Sequence, residues 1–235
     1  MKVVGAGVNL NTTSFGSSLG RAGQSQQVGK PVPLGQVLFG KVKPKKLDAR
    51  DYPHLKKQLK KAKAMKRKLA FLAGDDDDEY EIELADHELA MIDDKGTIYL
   101  GAEFLERYGD DDEVLAGVLG HEVGHRPKTW PKVPADVRLT VAERQQLARE
   151  EEGKADWFAG RALAELGYAP DQICRLLKHL DGRGNPSKEY YHVNTRIEII
   201  REAFGSQQRR RKTLKSMFPE AAKWRGAGAL IADDA

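Results

Sequence analysis

The chain has 235 residues, 26.1 kDa, 40% hydrophobic and 31% charged, which allows one or two domains and best fits one compact domain with extensions. No uncharged apolar run approaches the ~20 residues needed to cross a bilayer, and mean hydropathy is -0.59, which excludes an integral membrane protein. The single cysteine, Cys174, excludes an internal disulfide and a thiolate metal cluster, so any metal must sit on His and carboxylate.

Residues 1–10 carry one Lys and a short apolar stretch broken by Asn9, without the cleavage site of a secretory signal, so the expected location is cytoplasmic. The net charge of +4 hides a segregation. Residues 41–68 hold thirteen Lys or Arg against Asp48 and Asp51, whereas residues 75–94 hold eleven acids and no Lys or Arg. Such neighbouring blocks either lie against one another or serve separate partners.

Residues 1–40, rich in Gly, Ser, Gln and Asn, show no helical or strand period and read as a flexible leader. Residues 41–74 form a basic segment in which Leu55, Leu59, Ala62, Met65, Leu69 and Leu72 recur at spacings of three and four, predicting an amphipathic helix ended by Gly74. Residues 75–205 read as the functional domain. There Tyr80, Ile82 and Leu84 alternate with Glu81 and Glu83 as in a half-buried strand, and residues 89–92 and 97–100 flank Gly96 as in a β-hairpin.

Asp110, Asp111 and Asp112 then cap a helix with apolar Val114, Leu115, Val118 and Leu119, ending near Arg126 and Pro127. Residues 127–134 read as a loop. Thr140 and Glu143 form a capping box for a long helix closed by Gly167, and Pro170 opens another to about Leu180. Residues 181–187 carry turn chemistry, and Asn194 is expected to cap a last helix over residues 195–204, before Gly205. Residues 206–235 read as a basic tail.

On the acid-led helix stands His121-Glu122-Val123-Gly124-His125. Two His at i and i+4 project from one helical face, so both imidazoles can reach one zinc, with Glu122 angled toward the open position. A catalytic zinc needs a third protein ligand. The long helix supplies Glu150, Glu151 and Glu152, with Asp156 one turn beyond the last. Glu152 as ligand leaves Asp156 placed to accept the N–H of a ligating His; Glu151 is the alternative ligand.

This constellation resembles the gluzincin peptidases related to HtpX and the CAAX prenyl proteases, whose pattern is His-Glu-x-x-His followed by Glu-x-x-Ala-Asp. The likeness covers about residues 89–204 and includes His192 and the Arg196-Ile197-Glu198-Ile199-Ile200-Arg201 segment. It departs from the family in Val193, which stands where Pro is usual, in a shorter interval from His125 to Glu152, and in lacking membrane helices. The resemblance implies an α+β, mainly helical, zincin-like metallopeptidase domain with a small antiparallel sheet or hairpin beside the active-site helix. It implies zinc held by His121, His125 and Glu152, Glu122 as general base, and supporting roles for Asp156 and Arg196. His192 ranks first as a second electrophile, ahead of Tyr190 and Tyr191.

A protein or peptide substrate is expected to lie extended along the hairpin's outer strand. His87 and Glu88 imitate the motif, but Met91 occupies the second His position; His54 and His179 are lone, and Cys174 is expected to fill core. A second reading gives the zinc a structural role and assigns the basic helix to nucleic acid or an anionic membrane surface. No aromatics interleave its lysines and no nucleic-acid-reading motif accompanies it, so neither partner is favoured. A third reading is a protease held inactive by the leader or by the Trp130 loop.

Overall fold

The computed structural model describes residues 30–39, 43–182 and 188–217. Most of the leader, most of the turn over 181–187 and the end of the basic tail lie outside them. The basic amphipathic stretch folds as α2 (Lys56–Ala73), burying Leu59, Ala62, Met65, Leu69 and Ala70, and Gly74 closes it at φ 75°. That left-handed conformation costs glycine nothing, because there is no Cβ to clash. The acid-led segment is α4 (Asp112–Gly124), whose first turn is capped by the Asp111 carboxylate accepting the Glu113 and Val114 amides at 3.0 Å. Because α4 is apolar nearly all round, it runs through the middle of the molecule, between α2, α5 (Val141–Leu166) and α6 (Asp171–Asp181).

The two charge blocks partly neutralise each other. Buried Lys66 donates to the carbonyls of Asp77 and Tyr80 at 2.8 and 2.9 Å, and Lys46 reaches Glu83 at 2.8 Å. Lys57 and Lys61 meet Asp110 and Asp112 at the start of α4, at 3.2 and 2.9 Å.

The main sheet corrects one expectation. Its strands β2 (Lys45–Lys46), β3 (Glu81–Asp86), β4 (Ala90–Ile92) and β5 (Thr97–Gly101) lie in the order β2-β3-β5-β4, and β3 runs parallel to β5, so the sheet is mixed, not antiparallel. Alternation in a sequence reports burial, not strand direction. Here the chain leaves β3, crosses the end of β5 through residues 87–89, forms the outer strand β4 and returns through the Gly96 turn. Gly101 permits the crossing: a Cβ there would stand 2.0 Å from the His87 carbonyl oxygen.

Three further differences are tertiary in origin. Residues 32–39, read as featureless leader, contain β1 (Val32–Pro33) and α1 (Leu34–Phe39); β1 pairs with β6 (Lys132–Val133) inside the expected loop. An additional helix, α3 (Ala102–Tyr108), follows β5 and buries Phe104 and Leu105. The last helix, α7 (Val193–Met217), starts before Asn194 and runs through Gly205. Beyond that glycine, Gln207 donates to Glu165 and Arg211 to the Ala164 carbonyl on α5, contacts that outweigh the ~1 kcal/mol a helical glycine costs. No helix among the described residues is long and apolar enough to cross a membrane.

Candidate metal centre

Helices α4 and α5 approach closely because small residues face each other. A Cβ on Gly124 would stand 2.9 Å from the Ala155 Cα, and one on Gly120 would stand 3.3 Å from the Ala159 Cα. This approach turns Glu152 toward the two imidazoles one turn apart on α4. The rings of His121 and His125 lie 4.9 Å apart, nearly perpendicular at 84°. One ligand atom from each of His121, His125 and Glu152 lies within 4.8 Å of the other two.

A tetrahedral zinc with donors at about 2.0–2.1 Å separates those donors by roughly 3.3 Å. Glu152 Oε2 stands 3.1 Å from His121 Nε2, and Oε1 stands 3.9 Å from His125 Nε2. Glu152 is only 3% exposed, and its buried Oε2 makes no hydrogen bond to any described residue. Its close neighbour is His121 Nε2 without hydrogen-bond geometry, and a buried carboxylate oxygen placed so is costly unless a cation relieves it. The donor set therefore fits a divalent metal ion.

Asp156, 1% exposed, sits behind the first imidazole. Its Oδ1 is 3.0 Å from His121 Nδ1, and it accepts two hydrogen bonds from Arg196, Nε to Oδ2 at 2.8 Å and Nη2 to Oδ1 at 2.9 Å. Burial alone would raise the Asp156 carboxyl, but Arg196 and His121 hold it down to about 2. Burial likewise opposes charge on His121, yet Asp156 and Glu152 lift its metal-free pKa to about 10. His121 and His125 likewise hold the Glu152 carboxyl below its ordinary value against burial, so both carboxylates are ionised.

No protein-family model, curated protein or solved structure matches the chain. The chemistry of the site therefore rests on its own geometry.

Glu122, 5% exposed, lines the cleft and belongs to no ligand set, and burial pushes its carboxyl above the ordinary range. The cleft has a volume of about 470 Å³; its walls include Phe39 and Trp130 on one side and the outer strand β4 with Asp93 on the other. Tyr190 also lines it, and its hydroxyl stays protonated because the nearby Glu152 charge raises its pKa.

The first-ranked electrophile is not where it was expected. His192 is exposed at the start of α7, its Nδ1 accepts the Asn194 amide at 3.4 Å, and it does not line the cleft. It takes the capping position expected of Asn194, whereas Tyr190 lines the cleft together with His121, His125 and Glu152. Arg196 stacks on the Tyr190 ring at 4.9 Å while it holds Asp156. His87 Nδ1 accepts the Leu89 amide at 3.1 Å. Sequence reasoning missed Gln36 and Phe39 as cleft residues, because a short helix on a Gly-rich background carries no periodic signal, and Lys43, which lies outside any helix or strand.

Proposed function

We propose that this chain is a zinc-dependent metalloendopeptidase with a zincin-like domain, acting on protein or peptide substrates. The observation that carries the reading is the convergence of His121, His125 and Glu152, with buried Glu122 standing free in the same cleft. Two imidazoles and one carboxylate leave a coordination position open, the arrangement of catalytic zinc sites, whereas structural sites are closed by four protein ligands. The likeness to the gluzincin pattern supports the same conclusion, and the charged composition with one cysteine is in keeping with action in the cytoplasm.

Zinc in such a site lowers the pKa of a water to about 7 and acts as a Lewis acid toward a carbonyl. Glu122 takes the proton of the attacking water and returns it to the leaving amine. Burial, by lifting its carboxyl, makes it a better proton acceptor than an ordinary glutamate. Tyr190, protonated, donates a hydrogen bond to the oxyanion that develops on the scissile carbonyl.

Strand β4 is an edge strand, paired on one side to β5, and Ala90, Met91 and Ile92 line the cleft. Its outer side offers backbone groups to an extended substrate without demanding a sequence. A second cavity of about 200 Å³ opens beside His121, Glu122 and Tyr190 and is walled by Ile173, Leu176, Leu177 and Leu180, room for an apolar side chain next to the scissile bond.

The test is bound zinc and peptide hydrolysis measured on the wild type, Glu122→Gln and His125→Ala. Glu122→Gln should keep the metal and lose turnover, and His125→Ala should lose both. Hydrolysis persisting in Glu122→Gln would refute the role of Glu122.

A further inference from the structure

The two imidazoles are not supported alike. His121 has Asp156 behind it, itself fixed by Arg196. His125 is 7% exposed, and its Nδ1, the nitrogen turned away from Glu152 Oε1, is buried with no hydrogen-bond partner among the described residues. Glu151 Oε1 stands 3.8 Å from it, within ion-pair range but beyond a hydrogen bond. That carboxylate is held from the other side, where the Trp130 indole Nε1–H donates to the same Oε1 at 2.9 Å.

Trp130 in turn is pinned by the amino-terminal segment. Pairing of β1 with β6 and the Leu34 amide bonded to the Pro131 carbonyl at 2.8 Å lay α1 beside the indole. Gly35 makes the contact possible, since a Cβ there would stand 2.1 Å from the Trp130 ring. Phe39 closes the group, its ring 6.1 Å from Trp130 and 5.8 Å from His125.

We propose that Glu151 is the acceptor that positions the His125 imidazole, and that Trp130, clamped by residues 32–39, sets this carboxylate in place. The inference rests on the metal-site reading but not on peptidase activity. A His that ligates through Nε2 needs its Nδ1–H bonded to fix tautomer and ring orientation, and loss of such a partner typically lowers metal affinity by 10–100-fold. Closing the 3.8 Å gap requires about 1 Å of movement by the imidazole or the carboxylate. Glu151, weighed from sequence as an alternative ligand, thus serves as a positioning residue. The end of the leader becomes part of the metal centre although some ninety residues separate Gly35 from His125.

The experiment measures zinc affinity of the full-length chain by competition with a chromogenic chelator. It uses wild type, Glu151→Gln, Trp130→Phe, Gly35→Ala, the double variant Glu151→Gln/Trp130→Phe and the surface control Glu150→Gln. Circular dichroism and metal-free melting temperature establish that each is folded. Glu151→Gln should weaken zinc binding about tenfold or more. Trp130→Phe, which keeps the ring and loses the N–H, and Gly35→Ala, which displaces the indole, should weaken it by smaller factors, with Glu150→Gln unchanged. The double variant should fall no further than Glu151→Gln, because the indole acts through that carboxylate.

Wild-type affinity in folded Glu151→Gln overturns the proposal and leaves the metal site standing. Additive losses in the double variant, or wild-type affinity in Gly35→Ala, overturn the clamp. Failure of the wild type to bind zinc at all overturns the metal-site reading and this inference together.

Discussion

Arg196 holds Asp156 through two hydrogen bonds, at 2.8 and 2.9 Å, from the last helix to the one that carries Glu152. The same carboxylate faces His121, so one buried ion pair both ties α7 to α5 and sets the back of the first imidazole. A buried pair of this kind contributes little over an apolar pair, but breaking it strands a charge.

Replacing Arg196 by Ala is therefore expected to cost the metal-free chain about 3–5 kcal/mol in urea unfolding. Arg196→Lys should recover only part of this, because an ammonium cannot make two parallel bonds to one carboxylate. An Arg196→Ala chain as stable as the wild type would show that Asp156 is satisfied by His121 alone.

Tyr190→Phe should lower kcat by about 10²-fold or more, the usual loss when an oxyanion donor is removed, with zinc affinity unchanged. His192→Ala should leave kcat near the wild type, since the ring caps α7 outside the cleft. Steady-state kinetics on one peptide decides between the two residues; the reverse order of effects would restore His192 as the electrophile.

The cavity beside Glu122 predicts a change of preference on filling. Leu180 lines it, and Leu180→Trp should reduce cleavage before or after Leu and Phe at least tenfold relative to Ala, read from the cut sites in a peptide mixture. An unchanged pattern would mean that no substrate side chain enters there.

Asp93 anchors the hairpin tip that borders the cleft. It accepts the Lys95 and Thr97 amides at 2.9 and 3.0 Å and the Tyr99 hydroxyl at 3.2 Å, and pairs with Lys43. Burial would raise its carboxyl, but Lys43 and the two amides win and hold it below the ordinary 3.8. Because the folded value is the lower one, Asp93 contributes stability above that ordinary value, lost as pH falls below it. Asp93→Asn should be less stable than the wild type at pH 7, with the difference shrinking below about pH 4 in urea titrations. A difference independent of pH would assign the effect to packing.

Local chemistry made several elements legible in advance. Helix α2 and its Gly74 stop, the Gly96 hairpin, an aspartate cap within residues 110–112, the Thr140 and Glu143 capping box and the Gly167 stop are all decided by residues within a few positions of one another. The parallel pairing of β3 with β5, the passage of α7 through Gly205 and the ordering of residues 32–39 are not. Each depends on a contact distant in sequence: His87 over Gly101, Arg211 on Ala164, and Gly35 on Trp130.

The same division runs through the candidate metal centre. The sequence alone placed His121 above His125 and Glu152 below Asp156, because residues four apart on any helix share a face. It favoured Glu152 as the third donor but kept Glu151 as an alternative, since consecutive helical residues point about 100° apart and either is a carboxylate. The close approach of α4 to α5 over Gly120, Gly124, Ala155 and Ala159 fixed that rotation, turning Glu152 to the Nε2 side of His125 and Glu151 to its Nδ1 side. Spacing along one helix is a covalent property of the chain, whereas the rotation of one helix against another is set only when their surfaces pack.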